Sequence, residues 1–171
     1  MNNIPPQELL REWLVYDPDI GVFRWRKEPR ACRPLLGEEA GTRRSSGYIF
    51  IKARGYPQIG AHRLAWVYMF GGIPTGLEVD HIDGDPSNNR ISNLRLATST
   101  QQKMNKRVQA NNRSGLKGAF YHECRRGKKW RSQIKANGRV VFLGYFHTAE
   151  EAHAKYAMAC REYFGEFGRS A

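Results

Sequence analysis

The chain has 171 residues, with 28 Lys and Arg against 16 Asp and Glu, giving a formal net charge of +12 and a pI near 10.0. At about 100–200 residues per domain this is one domain or a few small modules, and a 40% apolar, 12% aromatic composition excludes wholesale disorder. Such a basic chain points to a polyanionic partner, either nucleic acid or an anionic membrane surface. The longest nearly uncharged apolar run, Leu64 to Phe70, falls far short of the roughly 20 residues that a spanning helix needs. Met1 to Pro6 show neither a basic nor an apolar leader region, so the expectation is a cytoplasmic protein without signal peptide or membrane span. Cys32, Cys124 and Cys160 form no Cys-x-x-Cys pair, which predicts free thiols and no structural zinc.

In chain order, Pro6 to Leu14 reads as a short amphipathic helix with proline at its start. Tyr16 to Gly21 is turn chemistry, and Val22 to Arg26 alternates like a strand. Gly47 to Lys52 and Tyr56 to Ile59 read as two more strands, turning at Gly55. Residues 61–70 switch to a helical pattern that stops at Gly71-Gly72. Leu77 to Ile82 reads as a strand, 83–89 as a dense turn, and Ile91 to Ala97 as a returning strand. Thr98 and Gln101 match a capping box, so a helix is expected from Ser99 to about Val108. After the polar linker 110–114, strands are expected at Lys117–Tyr121, Trp130–Ala136 and Arg139–Tyr145. Asn137-Gly138 predicts a tight hairpin, and Thr148 with Glu151 caps a last helix reaching Phe164.

Asp80-His81 is the pair that carries chemistry. Hydrolysis of a phosphodiester needs a base that works near neutral pH and a hard cation held by oxygen. His81 supplies the first; Asp80, followed by Asp83, Asp85, Asn88, Asn89 and Asn93, supplies oxygen. Gln102 and Asn105, three residues apart on the expected helix, could add an amide oxygen from one face. Two other readings stand beside this one. The same residues make an ordinary long turn whose side chains satisfy its own backbone. A calcium loop is the other, although the EF-hand spacing with its twelfth-position Glu is missing. His62 also has two readings: a helix residue hydrogen-bonded to the neighbouring hairpin, or a phosphate contact.

The segment Val79-Asp-His-Ile-Asp-Gly-Asp-Pro-Ser-Asn-Asn-Arg-Ile-Ser-Asn-Leu-Arg-Leu-Ala-Thr98, with Ala61-His-Arg-Leu-Ala-Trp66 upstream, resembles the HNH motif of phage and intron homing endonucleases. The resemblance implies a ββα-metal finger that binds one divalent cation, Mg2+ with Mn2+ as the alternative, and cuts DNA. It implies that His81 is the general base, that Asp80 is a metal ligand, and that Asn89 braces the hairpin and orients His81. The family usually has Asn or His at the helix ligand position. This chain has Gln102 there, with Asn105 one turn on as the alternative ligand.

From Lys103 to Lys135 there are eleven basic residues and one acid, Glu123. Trp130, Ser132, Ile134 and Ala136 share one face of their strand, and Arg131, Gln133 and Lys135 share the other. The plain alternative is a solvated basic face, though the imbalance exceeds what solubility requires. Residues 115–168 resemble the AP2 DNA-binding domain through Gly118, Lys129-Trp130, Ile134, Leu143-Gly-Tyr-Phe146, Thr148-Ala-Glu-Glu-Ala152 and Gly165. That resemblance implies a sheet that reads the major groove. The expected DNA contacts are Arg125, Lys129, Trp130, Arg131 and Lys135, with Lys106 and Arg107 before the linker.

The expected fold class is α+β. It comprises an N-terminal β-rich module (1–60), an HNH ββα-metal core (61–109), a linker (110–114) and an AP2-like three-stranded antiparallel sheet on one helix (115–171). The expected function is a metal-dependent DNA endonuclease acting on double-stranded DNA as a monomer or weak dimer. The rival is a non-cutting DNA-binding or regulatory protein on the same fold; RNA binding is disfavoured because no RNP-like aromatic signature is present.

Overall fold

The computed structural model describes residues 4–27, 36–53, 55–99, 101–102, 112, 114–123, 127, 129–136 and 138–168. The chain divides into two compact units, Met1–Ser99 and Thr100–Ala171, and its class is mixed α and β with small sheets. Among the described residues no helix is long and apolar enough to cross a membrane.

The first unit opens with α1 (Gln7–Trp13), which ends where Leu14 turns extended. Strand β1 (Leu14–Asp17) follows at once, where the sequence pattern gives a helix end and a turn. Its burial alternates, with Leu14 and Tyr16 inside and Val15 and Asp17 outside, and this period of two sets it. It pairs with β2 (Val22–Trp25), from Leu14 opposite Trp25 to Asp17 opposite Val22. At the tip, the Asp17 carboxylate accepts from the N–H groups of Asp19 and Ile20.

A second sheet runs in the order β3 (Thr42–Arg43), β4 (Ile49–Lys52), β5 (Gln58–Gly60). The sequence reading lacked β3, which offers only two exposed residues and no pattern. Helix α2 (Ala61–Phe70) follows β5 without a break and stops at Gly71, whose φ of +84° is the left-handed cap that favours glycine. Then β6 (Glu78–His81) and β7 (Leu94–Ala97) form an antiparallel hairpin, with Asp80 opposite Arg95 and His81 opposite Leu94. The returning strand starts at Leu94 rather than Ile91, because Ile91–Asn93 closes a turn of 3-10 helix first. One core unites these pieces: Leu10, Leu14, Phe23, Ile51, Leu64, Val79 and Leu94 are all buried together. Leu64 is completely buried, so its truncation to Ala would cost about 2–5 kcal/mol.

The second unit is a sheet ordered β10-β9-β8, where β8 is Ala119–Tyr121, β9 Trp130–Ala136 and β10 Arg139–Phe146, all antiparallel. Arg139 pairs with Ala136 across the expected tight turn, and Gly138 has a φ of +76°. Helix α3 (Ala149–Phe164) packs on all three strands through Ala152, Tyr156, Ala159 and Cys160. Thr148 caps it by accepting from the Glu151 N–H, and Glu151 accepts in return from the His147 N–H. Helical backbone is described at Ser99, Gln101 and Gln102. The rest of the expected Ser99–Val108 helix, with Asn105, Lys106 and Arg107, lies outside the described residues, as does Arg125.

Candidate active site

The β6–β7 hairpin is closed by a long turn whose side chains knit it to itself. The Asp83 carboxylate accepts from the Asp85 N–H (2.8 Å) and from the amides of Asn88 (2.7 Å) and Asn93 (2.9 Å). Asn93 also donates to the Asn88 carbonyl, and Asp85 accepts from both the N–H and the hydroxyl of Ser87. Burial alone would raise the Asp83 carboxyl. The donors from Asp85, Asn88 and Asn93, with His81 near by, outweigh it and hold the group below its ordinary value. Asp83, Asp85, Asn88 and Asn93 are thus spent on the turn, as the plain reading of that stretch expects. Among the described residues no group of three or more His, Cys, Asp or Glu is placed to hold a metal.

Asn89 differs from its neighbours because it turns inward. It is 1% exposed, and its Oδ1 lies 3.0 Å from Nε2 of His81, itself 4% exposed. The amide orientation follows from the other end of the group, since Nδ2 donates to the Ser87 carbonyl. Oδ1 can only accept, so His81 carries its proton on Nε2 and a lone pair on Nδ1. In that tautomer Nδ1 is the nitrogen able to take a proton.

The β1–β2 hairpin holds Asn89 from behind. The buried Tyr16 hydroxyl donates to the Asn89 carbonyl at 2.6 Å, and its own proton is held up to about 12, by burial and then by Asp17. Ile91 donates to the Pro18 carbonyl, and Arg90 Nε to that of Asp19. Gly21, with φ +76°, leaves no room for a side chain, since a Cβ there would stand 2.4 Å from the Arg90 nitrogen. Local sequence signals could not have found this brace, because its partners are some seventy residues apart.

Two more rings stand beside His81. His62, from the first turn of α2, has its centroid 5.0 Å from that of His81. Tyr48 lies 5.4 Å from His62 and 5.8 Å from His81. Its neighbour Gly47 brings the β3–β4 turn against Pro86 so closely that a Cβ would meet that ring at 2.8 Å. The hydrogen bond from His62 to the hairpin, one of its two expected roles, does not form among the described residues; Nδ1 is buried without a partner. Asp80 lies on the other face of β6 from His81, as strand alternation demands. Its Oδ2 accepts from Arg95 Nε at 3.2 Å, with both side chains nearly buried.

A sequence profile described as HNH endonuclease matches residues 60–104, which span β5's last residue, α2, the hairpin and Gln102. Protein 3.8 of Escherichia phage T7 is 33% identical over 106 residues, an alignment covering 56% of this chain and 86% of that protein. Residues 60–104 of the chain are an HNH endonuclease domain. An uncharacterized HNH endonuclease of Acanthamoeba polyphaga mimivirus is 32% identical over 123 residues, 71% of this chain and 61% of that protein. The solved structure titled "DNA binding and cleavage by the HNH homing endonuclease I-HmuI" is similar at 25% identity and a TM-score of 0.39. That match covers 52% of this chain and 48% of that one. The chain therefore spans less than two thirds of the mimivirus protein and of the solved chain.

The donor chemistry of the HNH hairpin fits a divalent cation of the magnesium kind. Asp80 brings one hard carboxylate, and such cations are held by one or two carboxylates while keeping waters and substrate oxygens. Of the expected partners, Gln102 has helical backbone and is half-buried.

The remaining expected residues lie on the second unit's sheet. Trp130 is half-buried, edge-on to Tyr121 and packed with Leu116 and Phe146 over the Ala119–Ala149–Ala152 cluster. Arg131, Gln133 and Lys135 share the strand face opposite Ser132 and Ile134; Arg131 and Gln133 are half-buried, with Arg131 Nε buried and unpartnered among the described residues, and Lys135 and Lys129 are exposed. Register sets Phe120 and Tyr145 either side of Arg131, Phe142 beside Gln133 and Val140 beside Lys135. The outer face is therefore aromatic as well as basic. Sequence reading noticed the basic strand and missed the rings, whose faces depend on a bulge at Leu143 between Phe142 and Gly144.

Proposed function

We propose that this HNH protein is a divalent-metal-dependent DNA endonuclease that hydrolyses phosphodiester bonds, with the basic second unit holding the duplex. The observation that carries the reading is the buried His81–Asn89 pair inside the segment matched by the HNH profile. His81 accepts the proton of an attacking water at Nδ1. Asn89 keeps the ring in register and, through Oδ1, stabilises the imidazolium that forms. Tyr16 and the β1–β2 tip hold Asn89 while this happens. Asp80 would hold the cation, with the amide of Gln102 or Asn105 as the second protein ligand; Mg2+ suits these donors, with Mn2+ as the alternative. A bound divalent cation supplies Lewis-acid stabilisation of the charge on the phosphate and the leaving 3′ oxygen.

The second unit resembles an AP2 domain. Lys129, Arg131 and Lys135, with Arg125, Lys106 and Arg107 from the sequence, are suited to phosphates and base edges in the major groove, and Trp130 supports the sheet that carries them. The protein works as a monomer or weak dimer, and one site per chain suits cutting one strand at a time.

The test is incubation of supercoiled and linear DNA with the protein, in magnesium or in EDTA. Nicking or cutting that needs magnesium and vanishes in His81→Ala is the expected result. Gln102→Ala and Asn105→Ala then report which amide matters through the magnesium concentration each needs. Tight, salt-sensitive binding with no cutting on any substrate would refute the enzyme and leave a DNA-binding or regulatory protein.

A further inference from the structure

His62 stands beside His81, and the chemistry above gives it no task. It is partly exposed, yet its Nδ1 is buried and meets no hydrogen-bond partner among the described residues. An apolar ring of the same shape would avoid that loss, so packing alone does not account for an imidazole here. The glycine before α2 holds the ring in place. Gly60 has an ordinary φ of −62° and is not needed for backbone conformation. A Cβ on it would stand 2.5 Å from Cε1 and 2.9 Å from Nδ1 of His62, so glycine is what the position of the ring requires.

The orphaned nitrogen selects the tautomer. A buried acceptor without a partner is tolerated better than a buried N–H without one, so the neutral ring carries its proton on Nε2. Nε2 is also the nitrogen farther from Gly60, 3.5 Å from the same point. Burial, then His81, then Arg63 hold this imidazole neutral down to about pH 3. Neutrality suits its place. A cation 5.0 Å from His81 would oppose the charge His81 acquires when it takes a proton from water, whereas a neutral N–H can bind a phosphate oxygen without that conflict.

We propose that His62 donates Nε2–H to a non-bridging oxygen of a DNA phosphate and holds that phosphate beside His81. This rests on the endonuclease reading and adds to it a residue that touches substrate. Gln places a donor the same number of bonds from the backbone as Nε2, while Phe keeps the shape and removes the donor.

Two measurements test it together. The first is single-turnover cleavage of supercoiled plasmid in magnesium by wild type, His81→Ala, His62→Phe, His62→Gln and Gly60→Ala. The second is long-range imidazole 1H–15N spectroscopy of the metal-free protein, with and without a short DNA duplex in EDTA. His62→Phe should cleave slower by on the order of 100-fold with no loss of thermal stability, as when one transition-state donor is removed. His62→Gln should recover most of that loss, and Gly60→Ala, which displaces the ring without removing it, should fall between. His62 should show the Nε2–H tautomer, and its Nε2 signal should move when duplex is added. Wild-type rates in His62→Phe, a His62→Gln as slow as His62→Phe, or an Nε2 signal indifferent to DNA would each overturn the proposal. A wild type that cuts nothing while the signal still moves would sink the nuclease and keep the phosphate contact.

Discussion

Lowering the pH from 7 to 5 should destabilise the first unit through the single imidazole of His62. In the folded chain this ring stays neutral down to about pH 3, chiefly because it is buried and then because His81 and Arg63 lie beside it. In the unfolded chain it titrates at the ordinary value of 6.5. Between those values the unfolded chain binds a proton that the folded chain refuses. Stability from this group is therefore fully present above pH 6.5 and is lost as the pH falls towards 3. Linkage makes the loss about 2 kcal/mol between pH 7 and pH 5, out of a full window on the order of 4 kcal/mol. His62→Phe keeps the shape and removes the proton site. The assay is urea unfolding of both proteins at the two pH values, followed by the fluorescence of Trp13, Trp25 and Trp66. Comparing the two proteins at each pH cancels every other titrating group common to both. The wild type should lose about 2 kcal/mol relative to His62→Phe on going to pH 5. A relative change within about 0.5 kcal/mol, the scatter of such extrapolations, would refute the claim that His62 is buried and neutral.

Tyr16→Phe removes the donor to the buried Asn89 carbonyl, so it should cost about 1–3 kcal/mol in denaturant and slow cleavage several-fold. An unchanged midpoint and rate would show that the β1–β2 hairpin does not brace the His81–Asn89 pair. Gly118→Ala would put a Cβ 2.1 Å from the Tyr156 ring at a φ of +76°, so the second unit should unfold several degrees earlier. An unaltered melting temperature would contradict the close approach of that turn to α3. Lys135→Ala, on the exposed face of β9, should lower the slope of log affinity against log salt for DNA by about 1 in EDTA. An unaltered slope would mean that this face does not meet phosphate.

Much of this protein is written in short stretches of sequence. Val79 to Thr98 announces a strand, a turn and a returning strand, because Asp, Asn and Gly at those spacings satisfy each other locally; Asp83, Asn88 and Asn93 do so in the structure. The same is true of the Gly138 turn, the Thr148 cap and the alternation of β9, all set by neighbours within a few residues. Where pattern was too short or was shared with another element, sequence reading failed. It merged β1 into a helix end and a turn, passed over the two residues of β3, and began β7 three residues early.

Residue types and local turns determined the Asp80-His81 pair, its braced hairpin and the basic strand that follows. What surrounds His81 was decided only by the tertiary structure. Tyr16 reaches Asn89 across 73 positions, Tyr48 and His62 close on the imidazole from two other elements, and Arg95 faces Asp80 across the hairpin. Gly21 and Gly60 look like ordinary loop glycines until a backbone or a ring is found where their Cβ would stand. The physical reason is range. Turn and capping bonds act between residues a few positions apart, and so leave a readable spacing. Desolvation, ring packing and the tautomer of a buried imidazole depend on whatever the shared core brings alongside, and no spacing along the chain records that.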